Sequence, residues 1–208
     1  TGTVWSFTAF EGGILFYTDF NTQPEDWKKA YGSISGNTNI INGKNTTKTV
    51  GGMKFGAGGN TIRVVAMKDA NNSEDMSQAY GPATEADAGA TDRCVQFYST
   101  ASGGYLQLPE VEGPCMITIW AGNPDDKKSK TFKLNTIVDG VESNVASFAL
   151  GNKKRIYKFQ YVYMGGSEVT FKIDANAAKF NINDIRIDQY IPEPVSYTHL
   201  TLPTIRLV

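Results

Sequence analysis

The chain has 208 residues, 40% of them hydrophobic and 12% aromatic, which is enough for one ordinary β-domain and too apolar for a disordered polymer. Its 20 Lys and Arg balance 21 Asp and Glu, so it lacks the concentrated positive field that nucleic acid or an anionic membrane surface demands. No apolar run approaches the roughly 18 residues of a membrane span.

The chain opens at Thr1 without an initiator Met, a basic segment or an apolar leader, which reads as a start after signal cleavage or at a fragment boundary. In "TVWSFTAF", Trp5 and Phe7 alternate along an expected first strand. "PEDWKKAY" (24–31) predicts one or two helical turns, opened by Pro24 at a first helical position with acids behind it. Turn chemistry follows at "NGK" (42–44) and "GAGGN" (56–60). Residues 70–92 form a long connection of small residues, the kind that is functional or mobile inside a compact domain.

From residue 93 the period is two. "DRCVQFY" sets Val95 and Phe97 against Gln96 and Tyr98, and "GGYLQLPEV" sets Leu106 and Leu108 against Tyr105 and Gln107. "CMITIW" sets Cys115, Ile117 and Ile119 against Met116, Thr118 and Trp120. After a turn at "AGNPDDKK" (121–128) and another at "VDGV" (138–141), "YKFQYVY" puts Tyr157, Phe159, Tyr161 and Tyr163 on one face, read as core, with Lys158, Gln160 and Val162 on the other. "YMGGSE" turns the chain into "VTFKID", with Val169, Phe171 and Ile173 on one side. "KFNINDIRIDQYI" closes the domain. Such alternation belongs to half-buried antiparallel strands. Short strands with these turns describe an all-β fold, an antiparallel β-sandwich of jelly-roll type, over residues 1–191.

Residues 192–208 begin as a Pro-rich linker and end in "VSYTHLTLPTIRLV", whose Thr and Leu text carries the one histidine, His199. Without that segment no histidine remains, which removes Ser-His-Asp and Cys-His catalysis and most zinc chemistry. Cys94 and Cys115 sit in strand text and read either as a disulfide or as two small buried side chains, the simpler of the two. No phosphate-binding or dinucleotide glycine motif occurs before a helix. Acidic residues concentrate in turns, and "EADAGA" (85–90) is a poor echo of a paired-carboxylate glucanase strand, so an enzyme is disfavoured.

Aromatic rings opposite the core face can stack on sugars while amides bond the hydroxyls. The candidates are Trp120, Tyr105 and Tyr98 with Gln107, Gln96 and Gln160, on the premise that their strands share one sheet. Trp27 and Tyr31 form a second candidate platform. Asp19, Asp184 and Asp188 stand on strands that a jelly roll can bring together, and their hard oxygens suit a structural calcium ion. No other cofactor is implied.

"VWSFTAF", "GGYLQLPEVEGPCMITIWAGN" and "VTFKIDANAAKFNINDIRID" resemble the non-catalytic β-sandwich modules that accompany secreted polysaccharide lyases and glycoside hydrolases of gut and rumen Bacteroidetes. The resemblance covers about half the chain and carries no ligand residue position by position. It implies a secreted or cell-surface carbohydrate-binding module that targets an attached catalytic domain to plant cell-wall polysaccharide. "VSYTHLTLPT" is similar to the translation, in one frame, of a sequencing-library adaptor, which places the end of genuine sequence near Pro194 in a metagenomic fragment whose partner domain was lost. The near-zero charge suits xylan or β-glucan; pectin would ask for a cluster of Lys and Arg, and only Arg63, Lys68, Arg155 and Lys158 are on offer. The competing readings are a structural spacer or protein-interaction sandwich, and a small glycosidase or lyase.

Overall fold

The computed structural model describes residues 12–20, 38–42, 46–58, 61–66, 93–97, 104–123, 129–151, 156–176 and 178–192. The Trp5/Phe7 strand, the 24–31 turns, the 70–92 connection and the tail with His199 lie outside the described residues. Within them the chain is all strand: β1 (Ile14–Thr18), β2 (Thr38–Asn42), β3 (Thr47–Val50), β4 (Met53–Gly56), β5 (Thr61–Ala66), β6 (Arg93–Phe97), β7 (Tyr105–Glu112), β8 (Cys115–Gly122), β9 (Lys130–Val138), β10 (Val141–Leu150), β11 (Ile156–Tyr163), β12 (Glu168–Asp174) and β13 (Phe180–Gln189). The expected closing strand is β13.

Two antiparallel sheets face each other, as the alternation predicts. A seven-stranded sheet runs β11-β8-β13-β6-β5-β2, with β1 also on β13. The long β13 pairs with β8 on one edge, while its other edge takes β6 at Phe180–Ile182 and β1 at Ile185–Asp188. A six-stranded sheet runs β10-β9-β12-β7-β4-β3. β9 and β10 are joined by Asp139 and Gly140, both at positive φ (50° and 76°), the geometry that lets a two-residue turn match the twist of its strands.

The sides of the strands are as the periodicity reads them. Val95, Phe97, Leu106, Leu108, Ile117, Ile119, Val169, Phe171 and Ile173 are buried in the core, and Tyr157, Phe159, Tyr161 and Tyr163 pack against it from β11. At its centre three rings from both sheets form a stack. Phe180 lies 4.9 Å from Phe97 and 5.1 Å from Phe132, nearly parallel to each, and Phe132 meets Phe148 and Phe159 at 5.3 Å.

The cysteines are both free and buried. Cys115 belongs to the core, whereas Cys94 alternates with core-facing Val95 on β6 and turns to the opposite side of the same sheet. Burial alone pushes the Cys115 thiol up to about 11, so it stays protonated and unreactive at neutral pH.

Candidate functional site

The premise that the aromatic candidates share one sheet fails. β6 and β8 lie in the seven-stranded sheet, while β7 lies in the six-stranded one. Trp120, Gln96 and Gln160 therefore stand on one outer face of the sandwich and Tyr105 and Gln107 on the other. Periodicity assigns a side chain to a face of its own strand; which sheet the strand joins depends on the chain crossing at Gly113 and Pro114, and a short turn between two strands reads like a hairpin. Tyr98, Trp27 and Tyr31 lie outside the described residues.

On the seven-stranded face the expected platform is closed. Trp120 is 3% exposed, so its ring is covered, and Lys158 reaches it at 5.8 Å from the ring centroid. Gln96 is 1% exposed and fully engaged: its Oε1 accepts from Arg63 Nε and Nη2 at 2.9 and 2.6 Å, and its Nε2 donates to Asn181 Oδ1 at 2.8 Å. That chain ties β5, β6 and β13 together, a structural role. Gln160 alone is exposed, donating to Thr118 Oγ1 at 3.3 Å.

The six-stranded face is built differently. Tyr105 is half-buried, and its ring lies across Gly56, the residue directly opposite it on β4. A Cβ at position 56 would overlap the ring, so glycine is what lets the aromatic lie there. The registers then align two rows across the strands. Thr47, Gly56, Tyr105, Asp174, Lys133 and Ser147 form one; Thr49, Lys54, Gln107, Lys172, Asn135 and Asn144 form the next. At about 4.8 Å per strand each row spans about 24 Å. The Lys172 ammonium sits 4.6 Å from the Tyr105 ring centroid and donates to both Glu142 oxygens at 3.0 and 2.9 Å. Asn135 donates to Glu142 Oε1 at 2.6 Å and accepts from Asn144 at 2.8 Å. Lys54, Gly56, Lys172, Glu142, Asn135 and Asn144 are members of this surface that the reading of the sequence missed.

Burial raises the Glu142 pKa, but hydrogen bonds from Lys172 and Asn135 and the Lys172 charge outweigh it and hold the carboxyl below its ordinary 4.5. A carboxylate kept ionised in this way is the opposite of a general acid. Because the folded-state pKa is depressed, the stabilisation is complete above pH 4.5 and is lost as pH falls through the lowered value. Thermal unfolding of the wild type and Glu142→Gln should therefore differ by a constant small amount above that pH, with the gap narrowing below it. The pair is partly exposed, which keeps the effect modest.

Charge on this face is polarised. Lys54, Lys133 and Lys172 gather around Tyr105 together with Asp174, opposite the ring, and the Lys172-bound Glu142, while Glu110, Glu112 and Glu168 gather at the far ends of β7 and β12, where Glu168 stands directly opposite Glu112. Like charges in that position cost about 0.5 kcal/mol. Glu168→Lys should raise the unfolding midpoint by about 1–2 °C at low salt, a gain that about 0.5 M salt removes.

The three-aspartate calcium set is corrected in part. Thr18 pairs with Ile185, which brings Asp19 beside Asp184, both buried. Asp188 lies at the other end of the same pairing, next to Ile14, and accepts from Arg186 Nε at 2.8 Å. No cluster of three or more His, Cys, Asp or Glu suited to a metal occurs among the described residues.

No protein-family profile matches the sequence, and no curated protein is similar to it. Solved structures match it only in part. The CBM22-1 xylan-binding domain from Paenibacillus barcinonensis Xyn10C is 16% identical, with a TM-score of 0.45 over 87% of this chain and 97% of that one. The K3 adhesin domain of Lys-gingipain from Porphyromonas gingivalis is 15% identical, with a TM-score of 0.40 over 50% and 78%. The CBM6cm-2 module of Cellvibrio mixtus lichenase 5A, in complex with cellotriose, is 20% identical, with a TM-score of 0.37 over 50% and 82%. Identities this low and superpositions this partial transfer no residue role and no ligand.

Proposed function

We propose that this chain is a non-catalytic module that holds plant cell-wall polysaccharide on the outer face of its six-stranded sheet, around Tyr105 and Gln107. The observation that carries the reading is the Tyr105 ring laid over Gly56 beside a register row of Lys54, Gln107, Lys172 and Asn135. An aromatic of this kind meets the C–H face of a sugar, and the row offers donors and acceptors to its hydroxyls. Glu142, held ionised by Lys172 and Asn135, is not suited to act as a general acid here. Tethered to a catalytic domain, such a module acts through effective concentration, and a secreted setting follows from the substrate. Xylan and β-glucan remain the first polymers to test.

Affinity electrophoresis of the chain in gels containing xylans, mixed-linkage glucan, cellulose derivatives and pectins tests the proposal. Retardation by at least one polymer is expected, with no release of reducing ends or unsaturated products. Unretarded migration in all of them would leave the spacer reading standing.

A further inference from the structure

Resting on that reading of Tyr105, we infer that the polysaccharide carries uronate carboxylates and that Lys54 recognises them. Lys54 and Gly56 are two residues apart on β4, so their Cα atoms lie about 7 Å apart and both point to the outer face. The Tyr105 ring lies over Gly56, so Lys54 rises beside the ring that the sugar would cover. The carboxyl group of a uronic acid hangs from the rim of the pyranose, the part that a flexible lysine beside the platform can reach.

The three lysines around the ring are not equivalent. Lys172 is committed to Glu142, with two hydrogen bonds. Lys133 lies opposite Asp174 in register. Lys54 is exposed and has no acidic partner among the described residues. Of the acids on this face, Asp174 stands opposite Tyr105 on β12, the side of β7 away from Lys54, and Glu142 is bonded to Lys172, while Glu110, Glu112 and Glu168 stand at the opposite end of β7 and β12. A neutral sugar would take only an ordinary hydrogen bond from this ammonium. A carboxylate would form a charge-assisted hydrogen bond with it. The overall net charge of −1 does not reveal this local arrangement.

Binding is measured for the wild type and Lys54→Gln against four probes: glucuronoxylan, the same polymer with its carboxyls reduced to alcohols, polygalacturonate and carboxyl-reduced polygalacturonate. The wild type is expected to bind an acidic polymer about fivefold more tightly than its reduced form, the worth of one exposed ion pair. Lys54→Gln should erase that ratio, so that it binds the acidic and reduced forms of each polymer alike. A preference for glucuronoxylan alone assigns the carboxylates to side groups, and one for polygalacturonate alone assigns them to the backbone; either supports the inference. Equal wild-type binding of acidic and reduced forms, or a ratio that persists in Lys54→Gln, overturns it while leaving polysaccharide binding intact. No wild-type binding to any of the four, nor to the neutral polymers above, would instead remove the reading on which it rests.

Discussion

Replacing Phe180 with Ala is expected to destabilise the domain by about 4–6 kcal/mol. Phe180 is fully buried, and its ring is the middle member of the Phe97–Phe180–Phe132 stack. Truncating a buried Phe costs about 3–5 kcal/mol in lost transfer energy and cavity. Two near-parallel aromatic contacts add about 0.5–1.5 kcal/mol each, though not fully additively, because the remaining rings relax toward the gap. Since the whole stability of a domain is about 5–15 kcal/mol, the change removes much of it. Thermal unfolding followed by circular dichroism should show a midpoint lower by about 10–20 °C. Phe180→Leu fills most of the volume and should recover more than half of the loss. A midpoint within about 2 °C of the wild type for Phe180→Ala would mean that the two sheets are not held by this stack.

The position of Phe180 was legible as a strand residue near the close of the domain, and the reason is general. Alternation reports which side of its own strand a residue occupies, so the Leu106/Leu108, Ile117/Ile119 and Val169/Phe171/Ile173 rows face the core as read, and the Tyr157–Tyr163 row packs against it. What alternation does not report is which strands become neighbours. Tyr105 and Gly56 are 49 residues apart and meet only because β4 and β7 pair. Trp120 and Tyr105 are close in sequence and end on opposite outer faces, because β7 and β8 join different sheets. Covering was equally invisible: Gln96 and Trp120 alternate with core residues yet are themselves buried. One part of the surface was within reach of the sequence. A two-residue turn at Asp139 and Gly140 sets Val138 opposite Val141, and counting outward pairs Ile137 with Glu142 and Asn135 with Asn144, as observed. Pairing of β1 with β13 puts Asp19 next to Asp184, whereas Asp188 lies at the other end of that pairing, opposite Ile14.

Tyr105→Ala is expected to weaken polysaccharide binding by about 30-fold, the consequence of removing an aromatic anchor worth about 2 kcal/mol. Tyr105→Phe keeps the ring and should stay within a few-fold of the wild type, because stacking needs the face and not the hydroxyl. Gly56→Val tests the same platform without altering Tyr105. Its side chain would occupy the space where the ring lies and force the ring away, so binding should fall in parallel with Tyr105→Ala. Trp120→Ala supplies the contrast. Its ring is buried on the other outer face, so the substitution should lower stability by about 3–5 kcal/mol and leave the affinity of the molecules that remain folded unchanged. Affinity electrophoresis or titration calorimetry at a temperature where every variant is folded separates the two effects. If Tyr105→Ala and Gly56→Val both bind as the wild type does, the six-stranded face is not where the polysaccharide sits. If Trp120→Ala alone loses affinity, the site belongs to the seven-stranded face and the cover over Trp120 must open to admit the sugar. The four variants therefore decide between the faces on affinity, with stability measured separately, and a general loss of folding cannot imitate either answer.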